Sequence, residues 1–133
     1  MPSADREPPG PIRVVVVDAD DLVRQTVAAL LGIGGRIQVV GITGQVGPAL
    51  EIVATTRPDV VVVDPRLPDL DAGLGFIRRL HAGMPAARVL IVCSPEFLDR
   101  VAVTDGRDRC LRKTFRQDDL TAAVVAASEA TPA

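Results

Sequence analysis

The chain has 133 residues, 47% of them hydrophobic and 24% charged, with a formal net charge of −2 and a mean hydropathy of +0.27. A single domain of this size buries roughly two-thirds of the surface its unfolded form exposes. No apolar run approaches the roughly 20 residues a bilayer needs, and no signal-peptide pattern opens the sequence, so a cytoplasmic protein without membrane contact is expected. The acidic balance and 2% aromatic content argue against direct nucleic-acid binding, which takes a basic face or stacking aromatics. The two cysteines, Cys93 and Cys110, give neither a zinc motif nor a disulfide framework.

Residues 1–11 contain four prolines and no apolar periodicity, and read as a disordered leader. The fold begins near Ile12 with a strand over 12–18. Asp20 or Asp21 can then cap a helix running to about Leu31, with Val23, Val27, Leu30 and Leu31 on one face and the glycines of 32–35 as its stop. A second strand, Ile37–Ile42, leads through Gly44 and Gly47 into a helix over 48–56. There Leu50, Ile52 and Val53 face inward, and Pro58 forbids continuation. Strand 59–64 follows, then a loop over 65–73 in which Asp69 and Asp71 read as turn residues. The spacing of Leu74, Ile77 and Leu80 predicts a helix near 74–82, ended by Gly83 and Pro85. Strand 88–93, a short helix over 96–103, strand 109–113 and a helix over 117–129 complete five βα units, with 130–133 as a tail. The domain thus spans 12–129, and the alternation predicts an α/β fold: a doubly wound five-stranded parallel sheet with helices on both faces. Such sheets bind ligands outside the carboxyl ends of their strands.

Those ends carry the chemistry. Val-Val-Val-Val-Asp occurs at 14–18 and again at 60–64, so two equivalent apolar strands each deliver a carboxylate, Asp18 and Asp64, to one edge of the sheet. The strand over 88–93 ends in Cys93 and Ser94. The last strand ends in Lys113, the only lysine among fifteen basic residues, which places a compact point charge there.

Arg57-Pro-Asp-Val-Val-Val-Val-Asp-Pro-Arg-Leu-Pro-Asp-Leu-Asp71, together with Asp18 and Leu111-Arg-Lys113, resembles the receiver domain of bacterial two-component response regulators, over about residues 12–128. The pattern is most similar to receivers that precede a helix-turn-helix output domain. The resemblance implies a flavodoxin-like sheet in the order 2-1-3-4-5, with Asp64 as acceptor of a phosphoryl group from a histidine kinase. It implies Mg²⁺ held by Asp18, Asp64 and the backbone carbonyl of Arg66, and Lys113 paired with a phosphate oxygen. Pro68 matches the proline that shapes the loop over the site.

Three positions depart from the family pattern. The second acid of the metal-binding pair falls on Ala19, which is expected to weaken Mg²⁺ binding, with Asp20 as a substitute ligand or simply a helix cap. The phosphoryl-binding hydroxyl falls on Cys93, a weak donor, with Ser94 one residue later. The aromatic switch residue of the last strand falls on Cys110. A Cys93–Cys110 thiol pair would offer redox control in its place, although free buried cysteines are the commoner outcome. An extra residue also falls between Asp71 and Leu74. Two functions follow as alternatives: a phosphorylated receiver that signals by protein contact, or a phosphorylation-independent pseudo-receiver that docks a partner or a second copy through the face formed by 93–115. A flavodoxin-like cofactor binder is disfavoured, because no Gly-rich loop opens the helix after the first strand.

Overall fold

The computed structural model describes residues 10–101 and 108–129. Ten elements alternate along the chain: β1 (Ile12–Val17), α1 (Asp21–Gly32), β2 (Ile37–Thr43), α2 (Val46–Thr56), β3 (Val60–Val63), α3 (Leu70–Gly83), β4 (Arg88–Cys93), α4 (Pro95–Val101), β5 (Arg109–Arg112) and α5 (Gln117–Glu129). The strands form one five-stranded sheet in the order β2-β1-β3-β4-β5, and each neighbouring pair is parallel. This is the doubly wound order expected from the sequence. The expected leader over residues 1–11 lies almost wholly outside the described residues, as do the end of the 96–103 helix and the 130–133 tail.

The valine runs read as continuous apolar segments because the sheet is covered on both sides. Alternate residues face opposite ways. Val15, Val17, Val61, Val63, Ile91 and Cys93 pack with Ala49 and Val53 of α2, Phe76, Ile77 and Leu80 of α3, and Val101 of α4. Val14, Val16, Val60, Val62, Leu90 and Val92 pack with Val27 and Leu31 of α1 and with Leu120, Val124 and Ala127 of α5. The β-branched side chains suit this pleated, two-sided burial and have little rotamer freedom to lose.

The largest departure from the sequence reading is the start of α3, at Leu70 rather than near residue 74. The Asp69 side chain accepts a hydrogen bond from the Ala72 amide at 2.9 Å, which makes it the N-cap. Asp71 then lies in the first helical turn, where its charge complements the helix dipole. The stretch read as a lengthened loop is therefore helix. Gly73 permits this start, since a Cβ there would lie 1.5 Å from the Pro65 carbonyl oxygen. The first turn of α3 rests directly on the loop that follows β3, with no room for a side chain between them.

Gly73→Ala is accordingly expected to lower the free energy of unfolding by about 1–3 kcal/mol, the scale of overpacking a close contact. Urea denaturation of the variant beside the parent chain measures this difference.

Candidate functional site

Three residues just beyond strand ends form the centre of the site. Each is fixed by one further backbone bond in line with the parallel ladder. The Asp18 amide donates to the Thr43 carbonyl at 3.1 Å, the Asp64 amide to the Val17 carbonyl at 3.0 Å, and the Lys113 amide to the Cys93 carbonyl at 2.8 Å. Because Val17 pairs with Val63, Asp18 and Asp64 follow side by side. Both are buried, at 7% and 9% exposure.

Two ionised carboxylates beside each other repel, and their burial removes the solvent that would screen them. Lys113 compensates. Its ammonium donates to Asp64 Oδ2 at 2.5 Å and to Asp18 Oδ2 at 3.1 Å. The remaining oxygens are satisfied locally: Asp18 Oδ1 accepts from the Asp20 amide at 2.9 Å, and Asp64 Oδ1 from the Arg66 amide at 3.0 Å. Burial by itself pushes the Lys113 ammonium down, but hydrogen bonds and charges from Asp64 and Asp18 outweigh it and leave its pKa above the ordinary 10.5.

A cavity of about 290 Å³ is lined by Asp18, Ala19, Asp20, Asp64, Arg66 and Lys113, together with Val23 and Pro68. Asp20 reaches it, yet its side chain accepts from the Val23 amide at 2.9 Å and caps α1. Its Oδ1 thus serves as the helix cap that the sequence offered, and the Ala19 side chain contributes no donor atom. Among the described residues, no group of three or more His, Cys, Asp or Glu side chains could hold a metal ion. The carboxylates this cavity offers beside Lys113 and the capping Asp20 are those of Asp18 and Asp64. That is a sparse set, though one of the kind Mg²⁺ accepts when waters and phosphate oxygens complete its shell.

Cys93 and Ser94 do not line this cavity. The Cys93 side chain is fully buried in the core beneath α3 and α4. Its thiol is pushed up to about 11, first by burial, then by Cys110 and Asp64, with Lys113 opposing. It is a poor nucleophile and a weak donor. Cys110 lies exposed on the edge strand, and both cysteines are free. The ladder pairs Ile91 with Cys110 and Cys93 with Arg112, so the two cysteines are two residues out of register. At about 4.8 Å between strands and about 3.3 Å per residue, their Cα atoms are roughly 8 Å apart. That exceeds the about 7 Å that a disulfide spans. The offset register, which periodicity alone does not give, removes the redox pair.

Two contacts were not singled out in the sequence. Arg24, on α1, donates to the Asp18 backbone carbonyl at 2.8 Å and pairs with Asp21. Its guanidinium fills the space beside Gly44, where a Cβ would approach it to 2.5 Å. The Arg66 guanidinium stacks on Phe97 of α4, 5.1 Å from the ring centroid, a cation–π contact between the loop after β3 and α4. The spacing of Arg24 six residues after Asp18, about one helical turn into α1, is the only signal for the first. Nothing local signals the second.

The family model for the response regulator receiver domain matches residues 14–125. The chain belongs to this family. Receivers are signalling domains of two-component systems rather than catalytic domains. A protein-glutamate methylesterase/protein-glutamine glutaminase of Anaeromyxobacter dehalogenans is 38% identical over 94 residues, covering 71% of this receiver and 25% of that protein. The DNA-binding transcriptional activator DevR/DosR of Mycobacterium tuberculosis is 41% identical over 83 residues, covering 62% of this chain and 38% of the activator. Response regulator MprA of Mycolicibacterium vanbaalenii is 34% identical over 114 residues, covering 84% and 48%. This receiver therefore spans between about a quarter and a half of these curated relatives. Among solved structures, the signal receiver domain of NarL from Mycobacterium tuberculosis superposes with a TM-score of 0.78 at 25% identity, covering 92% of this chain and all of that one. No helix of the described residues is long and apolar enough to cross a membrane.

The raised Lys113 pKa gives a signed prediction. A cation whose folded pKa exceeds its unfolded one contributes its full stabilisation below the unfolded value and loses it as pH climbs through the folded one. The stability difference between the chain and Lys113→Met is therefore expected to stay constant from about neutral pH, where carboxylates are ionised, up to pH 10.5 and to shrink above it. Urea melts across this range measure it, and because Lys113 itself lowers the Cys93 thiol, both proteins carry Cys93→Val in a chain that has no tyrosine to titrate nearby.

Proposed function

We propose that Asp64 accepts a phosphoryl group from the phosphohistidine of a histidine kinase, and that the receiver passes the signal on by protein contact. The observation that carries this reading is the buried Asp64 carboxylate held 2.5 Å from the Lys113 ammonium at the strand edge. A carboxylate oxygen of Asp64 attacks phosphorus, the phosphorus–nitrogen bond to the imidazole breaks, and the imidazole departs as a neutral base once protonated. Lys113 moves its hydrogen bond from the carboxylate to a phosphoryl oxygen, so the negative charge added to the pocket meets a cation already in place. Asp18, Asp64 and the Arg66 carbonyl would hold Mg²⁺, which supplies neutralisation of charge on the phosphoryl oxygens. Arg24 positions Asp18 through its carbonyl, and Ala19 leaves the metal with one carboxylate fewer.

Residues 12–129 are the receiver in this reading, flanked by a leader and a tail. Its partners are a kinase and either an output domain or a separate regulator. The face formed by 93–115, part of which lies outside the described residues, is the surface for a partner or a second copy.

Incubation with acetyl phosphate and Mg²⁺ is expected to add one phosphoryl group, detected by mass spectrometry, and Asp64→Asn is expected to remove it completely. Labelling that survives in Asp64→Asn would move the acceptor elsewhere, with Asp18 first in line. No labelling at all, with no response to Mg²⁺ and beryllofluoride in amide NMR spectra, would leave the phosphorylation-independent reading.

Ala19→Asp is expected to tighten Mg²⁺ binding by about 1–3 kcal/mol, the scale of a charge-assisted contact. Titration of Mg²⁺ followed by amide shifts around Asp64 measures the gain.

A further inference from the structure

A second cavity lies beside the acceptor pocket, and neither Asp18, Asp64 nor Lys113 lines it. It has a volume of about 570 Å³ and runs between the start of α2, the loop after β3 and the first turns of α3. This volume falls within the range of small-molecule sites, which are mostly apolar with a few placed polar groups. Val46, Leu67, Pro68 and Phe76 supply apolar walls, and Leu67 and Phe76 are each only 1% exposed, which makes the floor part of the rigid core.

The charge pattern of the lining is one-sided. Arg79 is its only ionisable residue. Arg79 is exposed and, like Arg36, Arg57, Arg78, Arg100, Arg109 and Arg112, makes no side-chain hydrogen bond or ion pair among the described residues, so its guanidinium is free to meet a ligand at the cavity mouth. Ala19 and Pro68 line both cavities. With Ala at position 19, no carboxylate faces the second one.

We infer that this cavity is a binding site for a small organic acid, with an aromatic or compact apolar body seated against Leu67, Pro68 and Phe76 and its anionic group on Arg79. The site is independent of the phosphoryl-transfer reading, and its test uses no phosphodonor. An occupant would share two walls with the acceptor pocket, so any change it caused there would be matched by an equal effect of the pocket's ligands on its own affinity.

Three probes of one shape test this: 1-naphthoate, the neutral 1-naphthalenemethanol and the cationic 1-naphthylmethylammonium, each titrated into the ¹⁵N-labelled chain. Naphthoate is expected to give saturable shifts centred on residues 44–46, 67 and 72–79, with the alcohol weaker and the ammonium weakest. Arg79→Gln is expected to weaken naphthoate by about threefold to fivefold, the scale of a solvent-facing ion pair, and to leave the alcohol unchanged. Ala19→Asp, which puts a carboxylate on the shared wall, is expected to weaken naphthoate as well. Ala72→Leu, which fills the cavity, is expected to abolish the shifts. Its thermal melt shows whether the variant is folded, and Arg79→Gln carries the test if it is not. Equal affinities for the three probes, or an Arg79→Gln variant that binds naphthoate unchanged, would overturn the anionic site. Absence of saturable shifts, or shifts scattered over the exposed Leu22, Ile33 and Phe115, would overturn the cavity as a binding site altogether.

Discussion

The parallel register of β1 against β3 is the constraint on which the rest of the site depends. Val14 faces Val60, and Val17 faces Val63, so two identical five-residue segments end level with each other. Parallel ladders space their hydrogen bonds evenly, and the regularity carries on for one residue beyond each strand, through the amides of Asp18, Asp64 and Lys113. A slip of one residue would turn either carboxylate to the opposite face. The apolar burial on both sides of the sheet prevents it, because every valine would then meet the wrong helix layer.

That constraint forces two anions together, and the ammonium of Lys113 makes the arrangement tolerable. Buried like charges are stable only when a counter-charge and hydrogen bonds compensate for lost solvent. Here each carboxylate has one oxygen on Lys113 and one on a backbone amide two residues later. Ala19 fits this electrostatic account. One lysine balances two acids with a single unit of excess negative charge, whereas a third carboxylate would depend far more on a bound cation.

The parallel sheet and the helix layers were legible in the sequence because they follow from alternation and from valine runs too apolar to have a solvent face, and the strand order came with the family resemblance. Asp18, Asp64 and Lys113 were legible for the same reason: strand ends in such a fold are not arbitrary places. The start of α3 was not, since Gly73 looks like a loop residue until the closeness of Pro65 is known, and Asp69 looks like a turn residue until its side chain is seen capping Ala72. Asp20 could serve as cap or ligand by position alone, and the cap bond from the Val23 amide appears only in the geometry. Cys93 and Cys110 sit on neighbouring strands as expected, but the two-residue offset between β4 and β5 depends on the packing of whole strands and leaves no local trace. Arg66 reaching Phe97 is likewise a tertiary contact between segments some thirty positions apart, which no short-range pattern encodes.

Lys113 is the chain's one side-chain amine, and this has a practical consequence. Clamped between two carboxylates, it is held in its protonated, unreactive form, so amine-selective reagents would find it poorly nucleophilic while the clamp is closed. Whatever loosens the clamp makes that same nitrogen easier to acylate, and no other lysine competes for the reagent. The extent of acylation at a single residue, followed by peptide mass, thus becomes a direct readout of the electrostatic state of the pocket, with the native sequence serving as its own probe.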